Sequence, residues 1–106
     1  MGIDRQTVGE IVRRILAVST PERIILFGSA AAGRMTRDSD IDVLVVEAAP
    51  GDARTESLRV RRSLRGMGYP FDVIVMDAER FEETKDIVGG IAHPAHKYGK
   101  VIYEAA

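Results

Sequence analysis

The sequence has no cysteine and no tryptophan, and its 106 residues include only two histidines and four prolines. The missing thiols exclude disulfides, thiolate nucleophiles and cysteine zinc centres, and they fit a reducing compartment. His93 and His96 stand three apart, as helical metal ligands would, but Pro94 lies between them and no other ligand is evident, so they read as surface or structural residues. Aromatic content is 6% and the formal charge is -1, which gives no general pull toward nucleic acid or an anionic membrane. No apolar run approaches the length of a membrane span. Met1-Gly2-Ile3-Asp4-Arg5 lacks the basic-then-apolar layout of a secretion signal. A cytoplasmic protein is expected.

What is present fits one modest globular unit. The hydrophobic fraction is 45% and the charged fraction 29%, ordinary for a compact domain, and residues 1–106 are expected to form a single one. A domain of this size has little surface with which to enclose two substrates, so a partner chain or self-association is anticipated. Asp4 is placed to cap a first helix whose face is Val8, Ile11, Val12, Ile15 and Leu16, with Ile3 and Val8 forming a staple. Strands are expected at 23–27, 41–47, 71–76 and 101–103, and helices at about 53–67 and from Asp77 to about Val88. In the helix after Pro50-Gly51-Asp52, Leu58, Leu64 and Met67 are the candidate inward residues, with Arg54, Arg59, Arg61, Arg62 and Arg65 solvated. The alternation predicts an α/β fold, a small mixed sheet packed against helices.

The chemistry is concentrated between residues 27 and 46. The apolar run Ile24-Ile25-Leu26-Phe27 stops at Gly28-Ser29, where bare amides and a hydroxyl can approach an anion closely. The small residues from Ser29 to Gly33 predict a short helix. Gly28 and Gly33 have the spacing of a P-loop, but Arg34 and Met35 stand where lysine and a hydroxyl should follow, and the glycines do not match a dinucleotide fingerprint. Then come Ser39, Asp40, Ile41 and Asp42, leading into a strand. Carboxylates two apart on a strand share a face and can share a divalent cation. Asp72 puts a single charge into the otherwise apolar run 71–76. Three such acids on one sheet edge would raise one another's pKa unless a cation were present. Mg²⁺, which combines one or two carboxylates with phosphate oxygens, suits that set, with Asp72 as third ligand or general base.

The combination of Gly28-Ser29, Gly33, Ser39-Asp40-x-Asp42 and Asp72 resembles the signature of the nucleotidyltransferase superfamily, in its minimal nucleotidyltransferase (MNT) branch, and the resemblance extends over nearly the whole chain. It implies a polymerase beta-like fold. By the same resemblance Gly28 and Ser29 contact a triphosphate, with Gly33, Arg34 and Ser39 completing the nucleotide-binding set. Asp40 and Asp42 hold one or two Mg²⁺ ions, and Asp72 completes the site. The implied reaction moves a nucleoside monophosphate, usually AMP from ATP, to a hydroxyl with release of pyrophosphate. Many stand-alone members of the family it resembles are antitoxins paired with an all-helical HEPN ribonuclease toxin, which some of them inactivate by adenylylating a tyrosine.

One feature departs from the family pattern. Members commonly carry arginines in a Gly-Ser-Arg-x-Arg-Gly loop, where this chain has Ala30 and Ala32. Two alternatives therefore stand beside the protein adenylyltransferase: a catalytically weak module that neutralises its partner by occlusion, and a transferase acting on a small molecule of the aminoglycoside kind. The arginines of the 53–67 helix read first as a solvated face and second as a surface for an acidic protein.

Overall fold

A computed structural model of the chain describes residues 3–33 and 39–106. Eight elements follow in order: α1 (Arg5–Leu16), β1 (Arg23–Phe27), β2 (Ile41–Glu47), α2 (Ala53–Ser63), β3 (Phe71–Asp77), α3 (Ala78–Thr84), α4 (Ala92–Tyr98) and β4 (Lys100–Glu104). The expected α/β class and small mixed sheet are what the chain adopts. The strands run in the order β3-β2-β1-β4, with β1 antiparallel to β2 and β4, and β2 parallel to β3. Among the described residues no helix is long and apolar enough to cross a membrane.

Strand alternation divides the core between the two faces of the sheet. On one face Ile24, Leu26, Val43, Val45 and Val75 pack with Ile11 and Ile15 of α1 and with Val60 and Leu64 at the end of α2. Each such aliphatic residue, fully withdrawn from water, contributes about 1.5–3 kcal/mol. On the other face Ile25, Leu44 and Val46 pack with Phe81 of α3 and Ala92 and Ala95 of α4. β1 and β2 lie inside the sheet and are covered on both sides, hence their nearly unbroken apolar sequences.

The helix starts follow from their caps. Asp4 accepts from Thr7 N at 2.7 Å, Asp52 from Arg54 N at 3.1 Å and Asp77 from Glu79 N at 2.7 Å, each satisfying an amide that has no intrahelical partner. Two helices are shorter than the periodicity predicts. α2 stops at Ser63 and gives way to turns through Gly66, which has φ +85°. α3 stops at Thr84, leaving Ile87 and Val88 exposed. The segment before Gly99 forms a further helix, α4, of seven residues.

Leu58 does not face inward as its apolar character suggests; it is 47% exposed. The inward stripe is half-buried Ser57, buried Val60 and the buried C-cap Leu64 instead, with a serine where an apolar residue was expected. Ser57 Oγ accepts from Val75 N of the edge strand at 3.1 Å and donates to Ala53 O at 2.8 Å. At the other end of α2, Arg14 Nη1 of α1 donates to Ser63 O at 3.4 Å and Arg65 O at 2.5 Å, placing a cation on carbonyls that the helix leaves unpaired.

Candidate functional site

The topology gathers the carboxy-terminal end of β1 and the amino-terminal ends of β2 and β3 at one end of the sheet. In the register, Phe27 lies opposite Asp42, and Asp42 opposite Asp72. Asp42 shares its face with Leu44 and Val46, and Asp72 shares its face with Ile74 and Met76. Both acids thus lie on the α3/α4 side, where the apolar packing stops and solvent begins. Asp40 precedes β2 by one residue and is exposed; Asp42 is half-buried and Asp72 exposed. The register sets Asp42 beside Asp72, and Asp40 lies just ahead of β2 on the same chain.

Gly28 is what admits Asp42. Its φ is +68°, a conformation L-residues occupy only at a cost. A Cβ built on it would fall within van der Waals contact of Asp42 Oδ2 and 3.3 Å from Asp42 Cγ. The bare backbone of the turn therefore lies directly against the carboxylate. From Gly28 to Gly33 the chain makes successive turns instead of the expected short helix. Ala32 N donates to Gly28 O at 3.1 Å and Gly33 N to Ala30 O at 3.4 Å, and the glycines at both ends take positive φ, which stops a helix from propagating. Gly33, at φ +69°, has open space where a Cβ would point, so conformation alone selects glycine there.

Ser29 and Ser39 are half-buried at the two ends of this loop. Arg34, assigned to the same phosphate-binding set, falls outside the described residues. The two alanines differ. Ala30 is 7% exposed and belongs to the α1-side core, whereas Ala32 is exposed. Position 30 is therefore taken up by packing, and position 32 has room for a long side chain.

The electrostatics match the placement of the acids. The Asp42 carboxyl is pushed above its ordinary value, first by partial burial and then by the negative charges of Asp72 and Asp40. A dication relieves that repulsion, and an all-oxygen donor set suits Mg²⁺. Among the described residues no three His, Cys, Asp or Glu side chains come together as a group that could hold a metal ion. His96 meets Phe81 edge-on, with ring centroids 6.2 Å apart, and its Nε2 lies 3.9 Å from Asp86 Oδ1.

Gly99 closes α4. Its φ is negative, but a Cβ there would crowd Ala95 O and Ile25 Cγ2 and lie 2.9 Å from Leu26 O. The absence of a side chain lets α4 and β4 close against the last residues of β1, just before Gly28. The single-letter pattern Tyr98-Gly99-Lys100 was the available signal.

The description of the nucleotidyltransferase domain matches residues 6–92. Among solved structures, a chain of a toxin–antitoxin complex with AMP-PNP superimposes with a TM-score of 0.72 at 18% identity, over 92% of this chain and 73% of that one. A chain of the toxin–antitoxin MntA–HpeT, bearing two aspartate-to-glutamate substitutions two positions apart, gives 0.67 at 17% identity, over 92% and 73%. A chain from tri-AMPylated Shewanella oneidensis HEPN toxin in complex with MNT antitoxin gives 0.64 at 15% identity, over 97% and 74%. At these identities the likeness is one of fold. No curated protein sequence matches significantly.

Proposed function

The chain belongs to the nucleotidyltransferase domain family, and from that premise we propose that it transfers AMP from ATP to a hydroxyl of a partner protein, a tyrosine of a HEPN-type toxin, as the antitoxin of the pair. One observation carries the reading: Gly28, Asp42 and Asp72 stand side by side on three adjacent strand ends, with the Gly28 backbone against the Asp42 carboxylate. The similar solved structures support it, since two come from toxin–antitoxin complexes, one of them with AMP-PNP, and a third from an AMPylated HEPN toxin with its MNT antitoxin.

In this reading Asp40 and Asp42 hold Mg²⁺, which when bound offsets the charge of the triphosphate and of the departing pyrophosphate. The turn at Gly28 and Ser29 receives the phosphates, with Gly33, Arg34 and Ser39 around them. The acceptor oxygen bonds to the α-phosphorus as the bond from that phosphorus to the β-phosphate oxygen breaks. The hydroxyl proton passes to Asp72, or Asp72 serves as a third ligand and water takes the proton. Orientation by rigid strand ends is the chain's own contribution to rate. The protein acts in the cytoplasm, where both ATP and such a partner are found.

The test is incubation with labelled ATP, Mg²⁺ and the partner protein encoded beside it. Label is expected on the partner, and its loss is expected in Asp40→Asn and Asp42→Asn. Absence of transfer from any nucleoside triphosphate would refute the enzymatic reading. The uncharged turn at Ala30 and Ala32 favours a second reading, neutralisation by occlusion. A variant lacking both Asp40 and Asp42 that neutralises the partner as well as the parent does would decide for it.

A further inference from the structure

A cleft of about 450 Å³ lies between the end of α2 and the start of β3. One wall is a single helical stripe, Leu58, Arg61, Arg62 and Arg65, at spacings of three and four residues that continue into the turn after α2. The other wall includes Tyr69, which is 40% exposed and meets Phe71 edge-on at 6.5 Å. The Arg14 contacts to Ser63 O and Arg65 O hold the first wall in place from behind.

The three guanidiniums of this wall are exposed and form no ion pair among the described residues. Arg13, Arg14, Arg23 and Arg59 by contrast are each matched with a glutamate. Residues 53–65 contain five arginines and one glutamate, net +4, so the rest of the chain carries -5 against the total of -1. A cationic patch with an apolar floor, on an otherwise acidic molecule, is complementary to an acidic, partly apolar protein segment. Arginine forks pair with carboxylates in a fixed geometry, while Leu58 and Tyr69 take up apolar side chains. A long polyanion such as RNA would meet the negative remainder of the surface, and Tyr69 is the one exposed ring among the residues lining the cleft.

The cleft also borders the candidate site. Phe71 lines it, and Asp72 is the next residue, directed to the opposite face of the same edge strand. We propose that the cleft is the docking surface for an acidic, partly apolar segment of the acceptor protein, holding that protein against the start of β3 so that its hydroxyl reaches Asp72. Naming that protein the acceptor rests on the transfer reading; the docking chemistry does not.

The test is fluorescence anisotropy with a short labelled peptide in which glutamates alternate with leucine and phenylalanine, and with an oligouridylate of equal length. Saturable peptide binding is expected, weakened by salt and by about tenfold in the Arg61→Glu, Arg65→Glu double variant. Arg61→Ala with Arg65→Ala should fall between. Both positions of change are at the surface, and an unaltered melting temperature verifies the fold. Absence of saturable peptide binding, unchanged affinity in the charge-reversed variant, or tighter binding of oligouridylate would each overturn the proposal. Calorimetry of Mg²⁺ with AMP-PNP on the same proteins separates the two readings. Peptide binding without nucleotide binding leaves the cleft standing and removes transfer, and nucleotide binding that is insensitive to the arginines while the peptide fails removes the cleft alone.

Discussion

Replacing Gly28 by alanine tests the geometry of the candidate site at its tightest point. Two effects combine. The residue sits at φ +68°, where an L side chain costs about 1–2 kcal/mol, enough in a chain of this size to lower the melting temperature by about 5–10 °C. In addition, the new methyl group overlaps Asp42 Oδ2 and lies 3.3 Å from Asp42 Cγ, so the carboxylate must move by about 1 Å, a displacement that typically costs about 100-fold in rate when it affects a catalytic group. Gly51→Ala supplies the control, because Gly51 has the same φ of +68° but open space at its Cβ position. The two variants should lose similar stability, while only Gly28→Ala loses AMP transfer and Mn²⁺ binding followed by paramagnetic resonance. If both retain the parental transfer rate and Mn²⁺ affinity, the contact between the turn and Asp42 has no bearing on function and the reasoning fails.

Other consequences concern charge. Glu47 is 5% exposed and accepts from Ser19 Oγ at 2.7 Å. Its carboxyl is pushed above the ordinary 4.5, first by burial, with the Ser19 hydrogen bond opposing and Glu56 adding to the rise. Between the ordinary value and the raised one the folded chain keeps a proton that the unfolded chain releases, so this group's contribution to stability is lost as pH rises through that window. Glu47→Gln keeps the acceptor for Ser19 and removes the charge; melting curves should show it more stable than the parent near neutrality and level with it at acid pH. An unchanged difference across pH would show that Glu47 is not the titrating group. At the turn, Ala32→Arg should tighten AMP-PNP binding several-fold in calorimetry, since an added cation near a triphosphate contributes about 0.5–1.5 kcal/mol when partly solvated. Ala30→Arg should instead lower the melting temperature, because that side chain is buried in the core. Equal behaviour of the two would contradict the packing.

The acids and the strands were legible because their signals are local. Short, nearly unbroken apolar runs mark β1, β2 and β3, and the two-residue spacing of Asp40 and Asp42, with the lone Asp72, singles out the acids before any coordinates are known. The α2 face was not legible. Its inward stripe includes Ser57, whose hydroxyl serves the Val75 amide across space, and no sequence period registers a hydrogen bond to a strand that comes later in the chain. The difference between Ala30 and Ala32 was hidden for the same kind of reason. Turn residues have no fixed period, so which one faces the core depends on how the turn leaves β1. The charge of the helix was visible, but not that its unpaired arginines would border a cleft beside the third acid.

The Ser57 contact has a consequence for assembly. β3 is a terminal strand of the sheet, and such a strand invites pairing by another chain along its outer backbone. With the Val75 amide already engaged by Ser57, a visiting strand can extend only over the first residues of β3. The open length of this edge is therefore the part that carries Asp72, and any chain that adds to the sheet here is led toward the acids and kept from zipping up the whole strand.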